Sequence, residues 1–399
     1  MFLPNIMLKI YWLIIVAIIF LINSCALKSV SILSKADLLS SANGQTLISY
    51  DNSFGLVVIP VTINGKVYRF VFDTGAQTTV VSKELADNIG LEKQSSVNVS
   101  DAHSSSQRLS VGVIDSINLG NFCYNNVGTL INDFQKNAQF SCLKIDGILG
   151  MNIIKLNNWK VDYNNTSITV FNNENISSQE YKVIPLNPNK NGIPYAYFFI
   201  NGIKENFMID MGKNSDLISV SPKVILDNPN SLSIGYSSFG LFGKTIVDTT
   251  RYFNISFSDS SNLNIANVVV SQSKNKKSLV GSGFFQANYS SIIFDFKNNL
   301  LYISENKNKN KQPLSYGITP MLTENNIIIG SKELNASPNL DKFNLGDTIV
   351  GVNNILFKEN NSCQLLDEIW KSKKNQDPIT LKISHFGIIS SFTLPIKNF

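Results

Sequence analysis

The feature that most constrains the fold of this chain is a spaced duplication. Asp73-Thr74-Gly75 follows the apolar run Phe70-Val71-Phe72, and Asp210-Met211-Gly212 follows Phe207-Met208-Ile209. The offset that carries Asp73 onto Asp210 also carries Ile63-Asn64-Gly65 onto Ile200-Asn201-Gly202 and Ser82 onto Ser219. Further along, Gly150 matches Gly283 and Asp162 matches Asp295, both at one common and slightly shorter offset. A lone Asp-x-Gly carries little information. A repeated strand, turn, Asp-x-Gly and strand, each with a matching downstream segment, marks an internal repeat. Such a repeat can bring two equivalent carboxylates together across a pseudo-two-fold axis.

From Phe54 onward the chain alternates apolar and polar residues in short runs, among them Leu56–Ile59, Val67–Phe72 and Ser167–Phe171. Turn pairs such as Asn64-Gly65 and Asn164-Asn165 punctuate them, a hairpin signal. Helical pattern is confined to short stretches, Lys83–Ile89 and Met151–Lys155, so the fold class is mainly β. A polar, Asn- and Ser-rich stretch from Phe171 to Tyr181 bridges the repeats. Ser304–Gln312 holds no apolar residue and precedes Pro313, which reads as a linker to a third unit. The expected divisions are a leader over 1–25, a tether over 26–53, lobes over 54–178 and 179–304, a linker over 305–312 and a unit over 313–399.

With 43% hydrophobic and 16% charged residues the chain is neither disordered nor a multi-span membrane protein. The net charge of +5 is modest and the lysines are scattered, so nucleic acid is not an expected partner. Only His103 and His385 are present, with no Cys-x-x-Cys, no His-Glu-x-x-His and no Gly-x-Ser-x-Gly. Zinc-peptidase and serine-hydrolase chemistry lose their usual residues, and neither a metal nor a cofactor is expected.

The apolar run Ile10–Ile22 is shorter than the ~20 residues of a membrane span and follows Lys9, as a signal-peptide core does. Its end, Leu21-Ile22-Asn23-Ser24-Cys25-Ala26, resembles a bacterial lipobox, which implies acylation of Cys25 and an extracytoplasmic, lipid-anchored protein. A plain secretory signal cleaved near Ser24 or Ala26, or an uncleaved anchor, are the other readings. Outside the cytoplasm Cys123 and Cys142 could pair, both falling in the first lobe, or stay as free thiols. Cys363 then has no partner within its own unit and is expected in a core.

Two carboxylates within hydrogen-bond reach of one water share a proton, because like charges so close do not both ionise. The ionised member then acts as general base on the water while the protonated one donates to a carbonyl. Asp73-Thr74-Gly75-Ala76 with Val80-Val81-Ser82 resembles the catalytic loop and following strand of retropepsin-like and pepsin-like aspartic proteases. Asp146-Gly147-Ile148-Leu149-Gly150 resembles the family's second element, and Leu279–Phe284 stands in its place in the second copy. The resemblance covers residues 54–304. It implies a bilobal β-fold with a cleft between the lobes, catalytic Asp73 and Asp210, and loop support from Thr74, Gly75, Met211 and Gly212. With both copies in one chain, a monomer acting on peptides or unfolded polypeptides is implied. Hairpins over the cleft are expected at Val97–Ser106, with His103 at a solvated tip, and near Tyr236–Lys244.

One departure stands out: Met211 occupies a position where the family has Thr or Ser. The family's hydroxyl there bonds to the opposite loop, so Thr74 is expected to lose its counterpart. Finally, Ala336–Leu340 and Phe343–Asn354, with a helix over Cys363–Lys371 and a strand over Ile379–Ser384, resemble the order of a PDZ domain. Tyr316-Gly317-Ile318 is the candidate carboxylate-binding loop. Two functions follow from these resemblances: an aspartic endopeptidase with a peptide-capturing module, or a peptide-binding lipoprotein of the same fold that no longer cleaves.

Overall fold

The computed structural model describes residues 29, 31–41, 44–101, 105–172, 176, 180–236, 241–242, 247–258, 264–274, 277–304, 313–323, 326–334, 338–358 and 361–398. The leader with Cys25, His103, the 305–312 linker and Ala336-Ser337 lie outside them. Among the described residues no helix is long and apolar enough to cross a membrane.

The first copy holds β1 (Asp37–Ser41), β2 (Gln45–Ser49), β3 (Val58–Ile63), β4 (Lys66–Phe72), β5 (Thr79–Ser82), β6 (Ser95–Ser100) and β7 (Ser106–Leu119). It continues with β8 (Phe122–Asn132), β9 (Gly147–Leu149), β10 (Asn158–Asp162) and β11 (Ser167–Phe171). Short helices α1 (Lys83–Asn88), α2 (Ala138–Leu143) and α3 (Met151–Ile154) interrupt the strands. β3 and β4 form a hairpin because Asn64 (φ 50°) and Gly65 (φ 74°) both take left-handed backbone, the geometry of a two-residue turn. The central end of β4 is fully apolar, with Phe70 and Phe72 completely buried. β4 pairs in parallel with β9, and β5 with β8, so the Asp73 loop emerges between strands covered on both faces.

The second copy repeats this order with β12 (Tyr181–Pro185), β13 (Tyr195–Ile200), β14 (Ile203–Asp210), β15 (Ile218–Val220), β16 (Ser231–Tyr236) and β17 (Val247–Ser258). β18 (Asn264–Gln272), β19 (Leu279–Gly281), β20 (Ser291–Asp295) and β21 (Leu300–Ser304) follow, with α4 at Ser282–Asn288. The turn at Asn201 (φ 47°) and Gly202 (φ 81°) is the counterpart of the first. β14 pairs in parallel with β19, and β15 with β18. A six-stranded sheet in the order β12-β21-β20-β10-β11-β2 joins the copies through the antiparallel pair β10 and β20.

Strand register corrects three sequence expectations. Residues 37–49, inside the stretch read as a tether, form β1 at the edge of the first sheet and β2 at the edge of the joining sheet. β2 takes the place that β12 takes in the second copy, so the repeat begins before Phe54. Ser219 pairs with Leu279, which pairs in turn with Met208. In the first copy those places belong to Val80, Ile148 and Val71. Ser219 is therefore equivalent to Val80, not Ser82, because the second copy carries a short insertion between Asp210 and β15. By the same register Gly150 is equivalent to Gly281 rather than Gly283. α4 is longer than α3, which accounts for the changed offset by the time Asp162 and Asp295 are reached.

The C-terminal unit contains β22 (Leu314–Ser315), β23 (Ile318–Leu322), β24 (Ile327–Leu334), β25 (Thr348–Val352), β26 (Ile355–Leu356), β27 (Ile379–His385), β28 (Ile388–Leu394) and β29 (Lys397–Asn398). Its helices are α5 (Pro338–Asp341) and α6 (Ser362–Asn375). A core of its own, including Phe343, Ile349, Leu365 and Leu381, holds it together. It is nonetheless joined to both copies. β24 pairs with β16, so the second sheet runs on without a break into the third unit. Cys363, at the start of α6, is disulfide-bonded to Cys142 in α2. Of the two readings left open for Cys123 and Cys142, a mutual bond or two free thiols, Cys123 is a free thiol and Cys142 is bonded elsewhere, and the expectation of an unpaired Cys363 is overturned. Sequence separation is a poor guide here, because α6 folds back across 221 residues onto the first copy.

Candidate active site

The two Asp-x-Gly loops meet at the floor of a cleft of about 2190 Å³. Asp73 Oδ1 accepts the N–H groups of Gly75 (2.8 Å) and Ala76 (3.2 Å), and Asp210 Oδ1 accepts that of Gly212 (3.0 Å). Each loop therefore wraps its own carboxylate. Each glycine also lies against the other's: a Cβ on Gly75 would sit 2.7 Å from Asp210 Oδ1, and one on Gly212 2.5 Å from Asp73 Cγ. Any side chain at either position would push the carboxyl groups apart. The two Asp side chains hydrogen-bond to one another.

Burial raises the pKa of Asp73 well above the usual carboxylate range, and the neighbouring Asp210 carboxylate raises it further, against the lowering effect of the Gly75 and Ala76 N–H groups. Burial also raises that of Asp210, but its hydrogen bond from Asp73, the Gly212 N–H and the Lys213 ammonium all pull it down. Burial raises both groups, and two carboxyls held this close share a proton and titrate as a unit. Chemically, such a site can deprotonate a bound water and protonate an adjacent carbonyl oxygen.

Thr74 is fully buried, and its hydroxyl donates to the Ile209 carbonyl (2.7 Å) and accepts the Met211 N–H (3.0 Å). The expectation that Met211 orphans this hydroxyl is thus corrected: its partners are backbone groups of the opposite loop, which any residue at 211 supplies. Met211 itself is fully buried in the main core. It has no hydroxyl to return the bond, so the side-chain tie between the copies runs one way.

Behind the Asp73 loop, Trp159 packs against Phe72 at 5.0 Å and donates its indole N–H to the Ile154 carbonyl (2.7 Å). Asn152, a residue the sequence reading passed over, is the polar hub of this region. Its Oδ1 accepts the Thr79 N–H and hydroxyl (both 2.9 Å), and its Nδ2 donates to the Gly128 carbonyl (2.9 Å). The signal was present, since Asn152 is the sole polar residue between Ile148 and Ile154. A buried side chain of that kind must find partners.

Above the floor, β6 and β7 project Asp101 towards the second copy, where Asp101 Oδ2 accepts the Phe242 N–H (3.3 Å). Asn137 Nδ2 donates to the Leu241 carbonyl (3.3 Å), so residues 241–242 reach across to the first copy. Most of the Tyr236–Lys244 hairpin tip and the tip with His103 lie outside the described residues. Tyr316, Gly317 and Ile318 are remote from the aspartate loops in the chain, yet Tyr316 and Ile318 line the same cleft with Trp370 and Leu366 of α6. Tyr316 is buried and donates its hydroxyl to the Asp377 carbonyl (2.6 Å). Gly317 (φ 78°) donates its N–H to the Ser315 hydroxyl (2.9 Å), so one of the three N–H groups proposed for carboxylate binding is engaged. Among the described residues no group of three or more His, Cys, Asp or Glu could hold a metal ion.

Residues 59–153 match the family model described as Aspartyl protease, which spans the β3–β4 hairpin, the Asp73 loop and the segment through α3. This part of the chain is an aspartyl protease-like domain. No curated protein matches the chain.

Proposed function

We propose that the protein is an aspartic endopeptidase that cleaves extended polypeptides with Asp73 and Asp210 as one proton-sharing pair. The observation that carries this reading is the reciprocal approach of the two loops, in which Gly75 touches the Asp210 carboxyl and Gly212 touches that of Asp73. The ionised member of the pair takes a proton from water bound between the carboxyls. The protonated member donates its proton to the scissile carbonyl oxygen, and the attacking oxygen forms the tetrahedral adduct. Collapse of the adduct expels the amine once the proton has passed to its nitrogen. Both carboxyls come from one chain, which favours a monomeric active unit. Digestion of an unbiased peptide library by the purified protein is expected to yield discrete cuts that a statin-type transition-state mimic blocks. A library left intact from pH 3 to 7 would instead support a peptide-binding protein of the same fold.

The C-terminal unit is proposed to hold peptide in a PDZ-like manner. Support comes from the position of β23 beside β24 and from the apolar side chains of α6 that line the same cavity. We also propose that the protein works outside the cytoplasm on a lipid anchor at Cys25, and the Cys142–Cys363 disulfide suits such an oxidising compartment. Mass analysis of the mature N-terminus should find acylated Cys25. A chain beginning at Ala26 without lipid would refute the anchor.

A further inference from the structure

The pseudo-two-fold axis gives the cleft two ends that begin as equivalents. One end is built by Phe54 and Asn214, joined by the Asn214 Nδ2 bond to the Phe54 carbonyl (3.0 Å). The offset between Asp73 and Asp210 places Asn191 and Gln77 at the corresponding positions of the other end, and all four residues line the cleft. The C-terminal unit makes the ends different. Trp370 of α6 stands edge-on to Phe54 at 6.2 Å, and a Cβ on Gly55 would lie 3.6 Å from its ring. On the opposite wall Lys373 lies 4.0 Å from Asp216. These contacts of α6 with both copies all fall at the Phe54 and Asn214 end.

The cavity that holds the aspartates is also lined by Ile318, Thr319 and Pro320 of β23 and by Leu366, Ile369 and Trp370 of α6. The aspartates and the C-terminal unit thus share one cavity, and Trp370 is the residue of α6 that touches the first copy beside it. Trp370 is 38% exposed, a large aromatic residue only partly covered by its contact with Phe54. Aromatic side chains placed this way supply contact area at small entropic cost and recur as binding anchors.

We propose that Trp370 is a specificity-determining residue of the cleft, and that the C-terminal unit is one end of the substrate site rather than a separately tethered module. The proposal rests on the peptide-binding reading above. The substrate is an extended polypeptide that runs from the aspartates past Trp370 and on beside β23. An apolar or aromatic side chain on that flank packs against Trp370, Leu366 and Ile369. Strand addition along β23 is short, because Pro320 has no N–H to offer. The flank leaving over Gln77 and Asn191 meets those two polar side chains.

The test uses the full-length protein and peptides that share one scissile site and grow by one residue at a time towards either terminus. Growth towards one terminus is expected to raise kcat/KM about 10-fold when an apolar residue reaches Trp370, the scale of one apolar pocket contact. Growth towards the other terminus should change it little. Trp370→Ala should bring the ratio of long to short substrates near one, and Trp370→Phe should restore most of it. Equal effects of growth in both directions, or a uniform loss on long and short peptides in Trp370→Ala, would overturn the proposal. A cleavage-independent measurement separates this from the peptidase reading. With p-benzoylphenylalanine at position 370 in the Asp73→Asn protein, the same peptides should crosslink through one flank only. Crosslinking without cleavage by the unmodified protein would leave this proposal standing and remove the peptidase. Crosslinks on both flanks, or none, would remove the proposal.

Discussion

Replacing Asp73 or Asp210 with Asn is expected to lower cleavage by about 10³-fold or more, since each removes one half of a general acid–base pair worth 10²–10⁴-fold in typical enzymes. Neither substitution should unfold the protein. A carboxyl whose folded pKa lies above its unfolded value binds more protons in the native state, so its stabilising contribution is complete below about pH 4 and declines as pH rises through the folded value. Burial raises both aspartates in this way. The wild-type protein should therefore lose stability from about pH 4 towards neutrality, and Asp73→Asn should flatten that slope and match or exceed wild-type stability at pH 7. Denaturant titrations between pH 4 and 8 read the effect directly. Undiminished cleavage by Asp210→Asn would make the second loop structural.

The disulfide carries the second large effect. Joining Cys142 to Cys363 closes a loop over 221 residues of sequence. In the chain-entropy view a bond of this span restricts the unfolded ensemble strongly, and removal of native disulfides costs about 2–5 kcal/mol. Cys142→Ser with Cys363→Ser should lower the urea midpoint accordingly, and reduced wild type should behave like the double variant. Unchanged midpoints in both would mean that the β16–β24 ladder and the contacts of α6 suffice without it.

The half of the fold that follows from local pattern was legible in the sequence. Asn64-Gly65 and Asn201-Gly202 fix two hairpins by their left-handed turns, and the apolar runs before Asp73 and Asp210 mark the buried strands that carry the loops. What failed was register. The offset between the two Asp-x-Gly loops placed Ser219 opposite Ser82, and a second, shorter offset placed Gly283 opposite Gly150, because short insertions leave no mark in composition. Long-range pairing was also hidden. Nothing near Cys363 announces Cys142, and Leu232 gives no sign that Leu334 will be its neighbour across the sheet. Nor was the Thr74 hydroxyl readable. Sequence names the side chain at 211, whereas the structure satisfies the hydroxyl with backbone groups. Trp370 was invisible for the same reason as the disulfide, since its importance comes from where α6 lands.

The pairing of β16 with β24 has a consequence for motion. The two copies each contribute a hairpin to the cleft, β6–β7 from the first and β16–β17 from the second. In the first, β6 ends the sheet and no described strand pairs with its outer edge; in the second, the equivalent edge is zipped to β24 from Leu232 to Gly235. A hairpin hinges freely only when one edge can part from its surroundings. Opening the second would break a run of main-chain bonds, whereas lifting the first parts side-chain contacts, among them Asp101 with Phe242 and Ser29 with Ser95. Entry to the cleft should therefore be gated by a single moving arm working against a fixed one, and the slow amide exchange of β16 beside the faster exchange of β6 would be its signature.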